Sequence, residues 1–218
     1  METKFRPAGA IFDMDGLMLD TERPLIPGFV QAGKTLGWDI SIEMATRTVG
    51  ISMGRIREML KEEYGPEFPL DDFHRELSKI TTETFQNGIA HKPGLTALLD
   101  HFSSMGIPMI VATSANRKRA FWKLEIAGIL ERFTAVITRD DVANGKPAPD
   151  IFLLAASTMG FKPSACVGFE DSPAGLQGLH AAGIRSVFVK DIVEPSEEIL
   201  SRVWRRCEDL TEAVKLFG

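Results

Sequence analysis

Hydrophobic positions in this chain fall into short blocks separated by Gly, Pro and Asp rather than into one sustained period. Residues 8–13 (Ala-Gly-Ala-Ile-Phe-Asp) are apolar up to a terminal acid, and comparable runs cover 107–113, 135–138, 165–168 and 185–189. Each run is too short for a helix and apolar on both faces, as a strand buried between two layers is. Between the later runs the apolar spacing predicts helices over roughly 94–105, 117–128, 149–159 and 173–182. Strands alternating with helices in this way predict an α/β fold with a doubly wound parallel sheet. In such a sheet, ligands bind beyond the carboxyl ends of the strands. The acids and hydroxyls that close these runs should therefore meet in one crevice.

Residues 18–88 break the alternation. They carry helical patterns over roughly 22–37, 52–63 and 71–87, with no strand, and Trp38, Phe73 and Phe85 to supply a small core of their own. The division this predicts is a core domain of residues 1–17 and 89–218 with an inserted helical subdomain of residues 18–88. The segment His91-Lys92-Pro93-Gly94 marks the return to the core. An insertion placed directly after the first strand sits above the crevice as a lid.

Composition narrows the class of ligand. The 218 residues are 44% hydrophobic and 25% charged, ordinary values for a globular chain large enough to bury a full core. No apolar run reaches the ~18–20 residues a membrane span needs, and the N-terminus through Pro7 is polar, without a recognisable export signal. Cys166 and Cys207 follow no metal-ligand spacing, and Cys166 lies in an apolar run, so a buried reduced thiol and a cytoplasmic location are expected. A net charge of −5 with no dense Lys/Arg tract disfavours nucleic acid and anionic membranes as partners.

Four segments carry candidate chemistry. In Asp13-Met14-Asp15-Gly16 two carboxylates at i and i+2 follow a strand end. One can attack phosphorus to give an aspartyl-phosphate, and the other can protonate the leaving oxygen and later deprotonate water. Taken alone, the pair is more readily a loop capped by acids. Thr113-Ser114-Ala115 offers hydroxyls and backbone N–H groups to a phosphoryl oxygen, or simply an N-cap for the next helix. In Gly145-Lys146-Pro147-Ala148-Pro149-Asp150 the prolines fix the backbone after Lys146, whose charge suits a site between a carboxylate and a phosphoryl group as well as it suits a solvated turn. Glu170-Asp171, before Ser172-Pro173, adds two acids at a strand end that also read as a helix-cap signature.

If all of these acids share one crevice they demand a cation. Like charges ~4 Å apart cost on the order of 4 kcal/mol at an effective dielectric of 20. Oxygen ligands with places left for water and phosphate suit Mg²⁺. The same cation lets an acidic protein accept an anionic phosphorylated substrate.

Taken in order, the four segments resemble the motifs of the haloacid dehalogenase superfamily, in its helical-cap branch of β-phosphoglucomutase-like phosphatases. The run from Ile11 to Glu22 (Ile-Phe-Asp-Met-Asp-Gly-Leu-Met-Leu-Asp-Thr-Glu) is similar to the first motif nearly residue for residue. Ser114 matches the second, Lys146 the third and Glu170-Asp171 the fourth, and the resemblance covers essentially the whole chain. It implies a Rossmann-like core with a helical cap, Asp13 as nucleophile and metal ligand, and Asp15 as acid/base with its backbone carbonyl on the metal. It further implies Ser114 and Lys146 on the transferring phosphoryl group, with lesser contacts from Ala115 and Asn116. Asp171 would ligate Mg²⁺ with Glu170 in or next to its shell, and Thr21 would be the hydroxyl at the cap hinge.

An acid at Asp15 separates phosphate monoester chemistry from the superfamily's dehalogenases, phosphonatases and transport ATPases, which lack one there. The expected function is Mg²⁺-dependent hydrolysis of a small phosphorylated metabolite, a sugar- or polyol-phosphate monoester. A β-phosphoglucomutase-type mutase is the alternative. It is disfavoured because no histidine follows Asp20-Thr21 and apolar residues occupy Val49 to Met53, although Arg47, Arg55 or Arg57 can stand in for the missing cap cations. A catalytically inactive binding protein is the second alternative, opposed by intact acids at every motif. His74, His91, His101 and His180 show no ligand spacing and are read as surface or helix residues. Met105 and Met109 are read as core filling, and Arg117 and Lys118 as a solvated helix start.

Overall fold

A computed structural model describes residues 5–51 and 53–217. Six strands run in the chain order β1 Gly9–Phe12, β2 Met109–Ala112, β3 Ala135–Ile137, β4 Cys166–Glu170, β5 Arg185–Val189 and β6 Arg205–Cys207. All pairings are parallel, in the spatial order β3-β2-β1-β4-β5-β6. The order reverses beside β1, where the doubly wound architecture leaves its ligand crevice.

Side-chain alternation along each strand sorts the core into two layers. Ala10 and Phe12 of β1, with Met109 and Val111 of β2, face α5 (Leu95–Ser104), α6 (Arg117–Ile126) and α10 (Leu210–Val214). Ile11, Ile110 and Ala112 face the opposite layer, made by α7 (Asp150–Thr158) and α8 (Pro173–Ala181). Phe12 and Phe169, paired in register on β1 and β4, stack at 4.8 Å between ring centroids. Cys166 and Cys207 are buried free thiols, and Met109 and Met105 pack in the first layer, as expected.

The insertion contains α1 (Glu22–Thr35), α2 (Ile42–Arg47), α3 (Met53–Tyr64) and α4 (Leu70–Phe85). The first position of the predicted 52–63 helix, like the first four residues of the polar N-terminus, lies outside the described residues. Phe29, Ile40, Met44 and Phe73 form a separate cluster, against which Trp38 packs. Phe85 does not join it. At the last position of α4 it packs into the sheet-side core with Ile89 and Leu95, as do Leu17, Met18 and Leu19 before α1. The two chain connections are joined to each other, Asp20 N–H donating to Ala90 O at 2.9 Å and Lys92 N–H to Met18 O at 2.8 Å.

Several short elements escape the hydrophobic pattern, the five-residue α10 among them. The edge strand β6 has two exposed arginines and only Cys207 buried, the charged and short form that blunts a sheet edge. Helix α2 has six residues, started by Ser41, whose Oγ accepts from Met44 N–H at 3.0 Å. The four-residue α9 (Glu197–Leu200) is likewise too short to show a period.

Candidate active site

The strand ends at the reversal point deliver their acids to one place. Asp13 follows β1, and its N–H still pairs with Phe169 O of β4 at 3.1 Å, so Glu170 and Asp171 leave the neighbouring strand beside it. Carboxylate oxygens of Asp13, Glu170 and Asp171 lie within 4.8 Å of one another, and all three residues are buried. Lys146 enters from the loop before α7, with its side chain only 4% exposed. Its Nζ donates to Asp13 Oδ1 and to Glu170 Oε1, each at 2.5 Å.

The three carboxylates are not equivalent. Both Glu170 oxygens are engaged, Oε1 by Lys146 and Oε2 by Ser172 N–H (2.7 Å) and Ser172 Oγ (2.9 Å). Glu170 is thus built into the protein scaffold, tying Lys146 to the start of α8. Asp171 Oδ1 is buried without a hydrogen-bond partner. Such an orphan is costly unless something outside the chain satisfies it. Burial pushes Asp13 up to about 7 against the opposing pull of Lys146, with Glu170 adding to the rise. Burial also lifts Asp171 well above the carboxylate range, reinforced by Glu170, Asp13 and Asp191. Burial alone would lower Lys146, but Asp13 and Glu170 outweigh it and raise it. This oxygen-only set, with an orphaned acceptor and excess negative charge, fits a hard divalent cation.

Asp15 points elsewhere. Its Oδ1 accepts from Thr21 Oγ1 at 2.6 Å and from Lys123 Nζ, so its carboxylate lies outside the three-acid cluster. Thr21 is the N-cap residue of α1 yet makes no side-chain cap bond; its hydroxyl donates to Asp15 instead. Lys123 projects from the face of α6 that also carries Ala120 and Leu124 and is buried. It was not anticipated from the sequence, where the available signal is a lysine inside an otherwise apolar helical stripe.

Asp13, Asp15, Lys146, Ser114, Ala115 and Asn116 line one cavity of about 320 Å³ between the sheet and the insertion. Ser114 is exposed to it. Ala115 N–H is taken by Thr113 Oγ1 at 3.1 Å, and Asn116 caps α6 by accepting from Arg119 N–H at 2.9 Å, so neither group is free in this arrangement. Arg117 and Lys118 are exposed at the helix start, with Arg117 paired to Asp141.

The roof and far wall come from residues outside the expected site. Glu22 accepts a hydrogen bond from the Gly50 backbone and is pushed up to about 7 by burial and by Asp15. Arg119 reaches across from α6 to the insertion, its Nη2 donating to Ser78 Oγ of α4 at 2.7 Å, and burial lowers its pKa. His74, a half-buried residue of helix α4, also lines the cavity, its pKa lowered by burial and by Arg119. Of the other histidines, His91 and His180 are exposed and His101 is half-buried; none lines this cavity. Among the described residues, no helix is long and apolar enough to cross a membrane.

Comparison with known proteins agrees with this geometry. Residues 7–183 match the family model described as "Hydrolase: haloacid dehalogenase-like hydrolase". Fructose-1-phosphate phosphatase YqaB of Escherichia coli is 31% identical over 185 residues, covering 85% of this chain and 97% of that protein. Protein CbbY of Rhodobacter capsulatus is 31% identical over 209 residues, covering 89% and 90%. The crystal structure of a CbbY variant from Rhodobacter sphaeroides in complex with xylulose-1,5-bisphosphate superposes with a TM-score of 0.80 at 26% identity, covering 95% and 96%. The chain belongs to the haloacid dehalogenase-like hydrolases, and among them it is a phosphatase.

Proposed function

We propose that this phosphatase hydrolyses a sugar- or polyol-phosphate monoester with the help of Mg²⁺, through an aspartyl-phosphate on Asp13. The observation that carries the reading is the division of labour between two carboxylates two positions apart. Asp13 lies in the buried cluster with Lys146, Glu170 and the orphaned Asp171, while Asp15 is held apart by Thr21 and Lys123 toward the cavity.

In the first step an Asp13 oxygen attacks phosphorus, the bond from phosphorus to the ester oxygen breaks, and Asp15 gives that oxygen its proton. In the second step Asp15 takes a proton from water, whose oxygen attacks phosphorus and frees Asp13. Lys146 and the Ser114 hydroxyl hold the phosphoryl oxygens through both steps. Asp13 and Asp171, with the Asp15 carbonyl, would hold Mg²⁺, and Glu170 would act from beside it by fixing Lys146. When bound, the cation neutralises phosphoryl charge and aligns it for in-line displacement.

The cavity wall supports a polar, hydroxyl-bearing leaving group. Glu22, His74 and Arg119 offer hydrogen-bonding groups to the same cavity, which apolar Ile51 and Met53 also line. The carbohydrate phosphates named for the relatives point the same way. A mutase must also grip a second phosphate on the cap. Arg47, Arg55 and Arg57, the residues available for that, instead pair with Glu63, with Glu58 and Glu62, and with Asp71, and none lines the cavity. Hydrolysis is therefore favoured.

The test is phosphate release from a panel of phosphorylated sugars, polyols and nucleotide-derived monoesters with and without Mg²⁺, using Asp13→Asn as the control. Metal-dependent release that Asp13→Asn lowers at least about 10³-fold supports the proposal. Isomerisation of glucose 1-phosphate without net phosphate release sinks it.

A further inference from the structure

Asp191 belongs to none of the four motif segments and does not line the cavity, yet its position links two parts of the molecule. It follows β5 by two residues, and its side chain is 1% exposed. Its Oδ1 accepts from Lys92 Nζ at 2.6 Å and pairs with Arg23 Nη1 at 2.7 Å. Lys92 lies in the connection that returns from the insertion, and Arg23 in the first turn of α1 at its entry. One carboxylate oxygen thus holds both connections.

The other oxygen, Oδ2, is buried and has no partner. Its surroundings show where it is aimed. A Cβ added to Gly16 would lie 3.2 Å from Asp191 Oδ2 and 2.4 Å from Asp171 Oδ2. Only a glycine at this position, which also has φ +84°, lets the two carboxylates approach across the backbone. Asp171 carries an orphaned oxygen as well, so two buried, unsatisfied carboxylate oxygens belong to neighbouring side chains on the cation-binding side of the site.

We infer that Asp191 is a positioning residue for the cation site, one that couples cation binding to the connections carrying the cap. Its charge adds to that of Asp171 in retaining the cation, and Lys92 and Arg23 pass the constraint to the paired segments before α1 and before α5. Lys92 is the specific device. A buried lysine facing a buried aspartate fixes the latter's orientation far more firmly than a surface pair does. The inference rests on the Mg²⁺ reading above.

Two measurements on the full chain without substrate test it: calorimetric titration with Mg²⁺, and amide hydrogen exchange at Asp20 and Lys92. Wild-type protein should bind Mg²⁺, and binding should slow exchange at both amides. Asp191→Asn, which keeps the shape but removes the charge, should weaken Mg²⁺ affinity about 10-fold or more and abolish the slowing. Arg23→Gln, at a side chain 52% exposed, is the variant to use if Asp191→Asn does not fold, and it should also lessen the slowing. Unchanged affinity and protection in Asp191→Asn, or unchanged protection in Arg23→Gln, overturn the inference while leaving the Mg²⁺ reading intact. A wild-type protein that binds no Mg²⁺ overturns both.

Discussion

Glu22 shows how the site stores charge at the level of a single residue. Burial and the nearby Asp15 raise its carboxyl from an ordinary 4.5 to about 7. The folded protein therefore holds this proton more tightly than the unfolded chain does. The stability linked to the proton is complete below about pH 4.5 and is lost as pH rises through about 7. Glutamine mimics the protonated form. Glu22→Gln should leave the metal-free melting temperature nearly unchanged at pH 4.5. At pH 8 it should raise stability by about 1–2 kcal/mol, or roughly 3–6 °C in Tm. Thermal melts in chelator at the two pH values check this, and a lower Tm at pH 8 would mean that the ionised carboxylate is stabilising. The motif acids could be read from the sequence because each closes an apolar run. Lys123 and Arg119 could not, because they arise in the middle of a helix whose orientation only the packing decides. Asp191 falls between: it too follows a strand, but two residues late and outside any motif.

At the scale of elements, the site depends on a close approach that a glycine permits. The Glu170 side chain lies against α8, and a Cβ on Gly175 would fall 1.6 Å from its Oε1. Gly175→Ala must push Glu170 off Lys146 and Ser172. It should cost about 2–3 kcal/mol in urea unfolding as well as activity. A fully stable and active variant would show that this carboxylate is free to move without consequence. The same scale explains what the hydrophobic pattern revealed of the fold. Strands β1 to β5 are buried on both faces and stand out as apolar runs, whereas β6 buries one residue and α2 spans fewer than two turns. Phe85 belongs by sequence to the insertion but packs with the sheet-side core, because apolar content alone does not say which neighbour a helix end meets.

The whole molecule is an acidic chain, and three of its acids, Asp13, Glu170 and Asp171, are buried together where β1 and β4 end. Metal-free protein must keep Asp13 and Asp171 protonated or bear their repulsion; a divalent cation relieves both conditions. Mg²⁺ should therefore raise the melting temperature, by the equivalent of about 2.7 kcal/mol at 100 times its Kd. The increase should be larger at pH 8 than at pH 5, since binding displaces protons; scanning calorimetry at fixed Mg²⁺ reads both. Equal increments at the two pH values would place the cation elsewhere. The cap closes the same region from above, with Glu22, Arg119 and Gly50 joining the two bodies around the cavity.

In the proposed mechanism phosphoryl transfer passes through Asp13 while Asp15 manages protons. An aryl phosphate needs little help from an acid to lose its leaving group, but release of the intermediate still needs a base. Asp15→Asn protein mixed with an aryl phosphate and Mg²⁺, quenched in acid and analysed by peptide mass spectrometry, should carry one phosphoryl group on the peptide containing Asp13, and none after Asp13→Asn is added. A phosphoryl group on another residue, or continued turnover when Asp13 is replaced, would contradict the account.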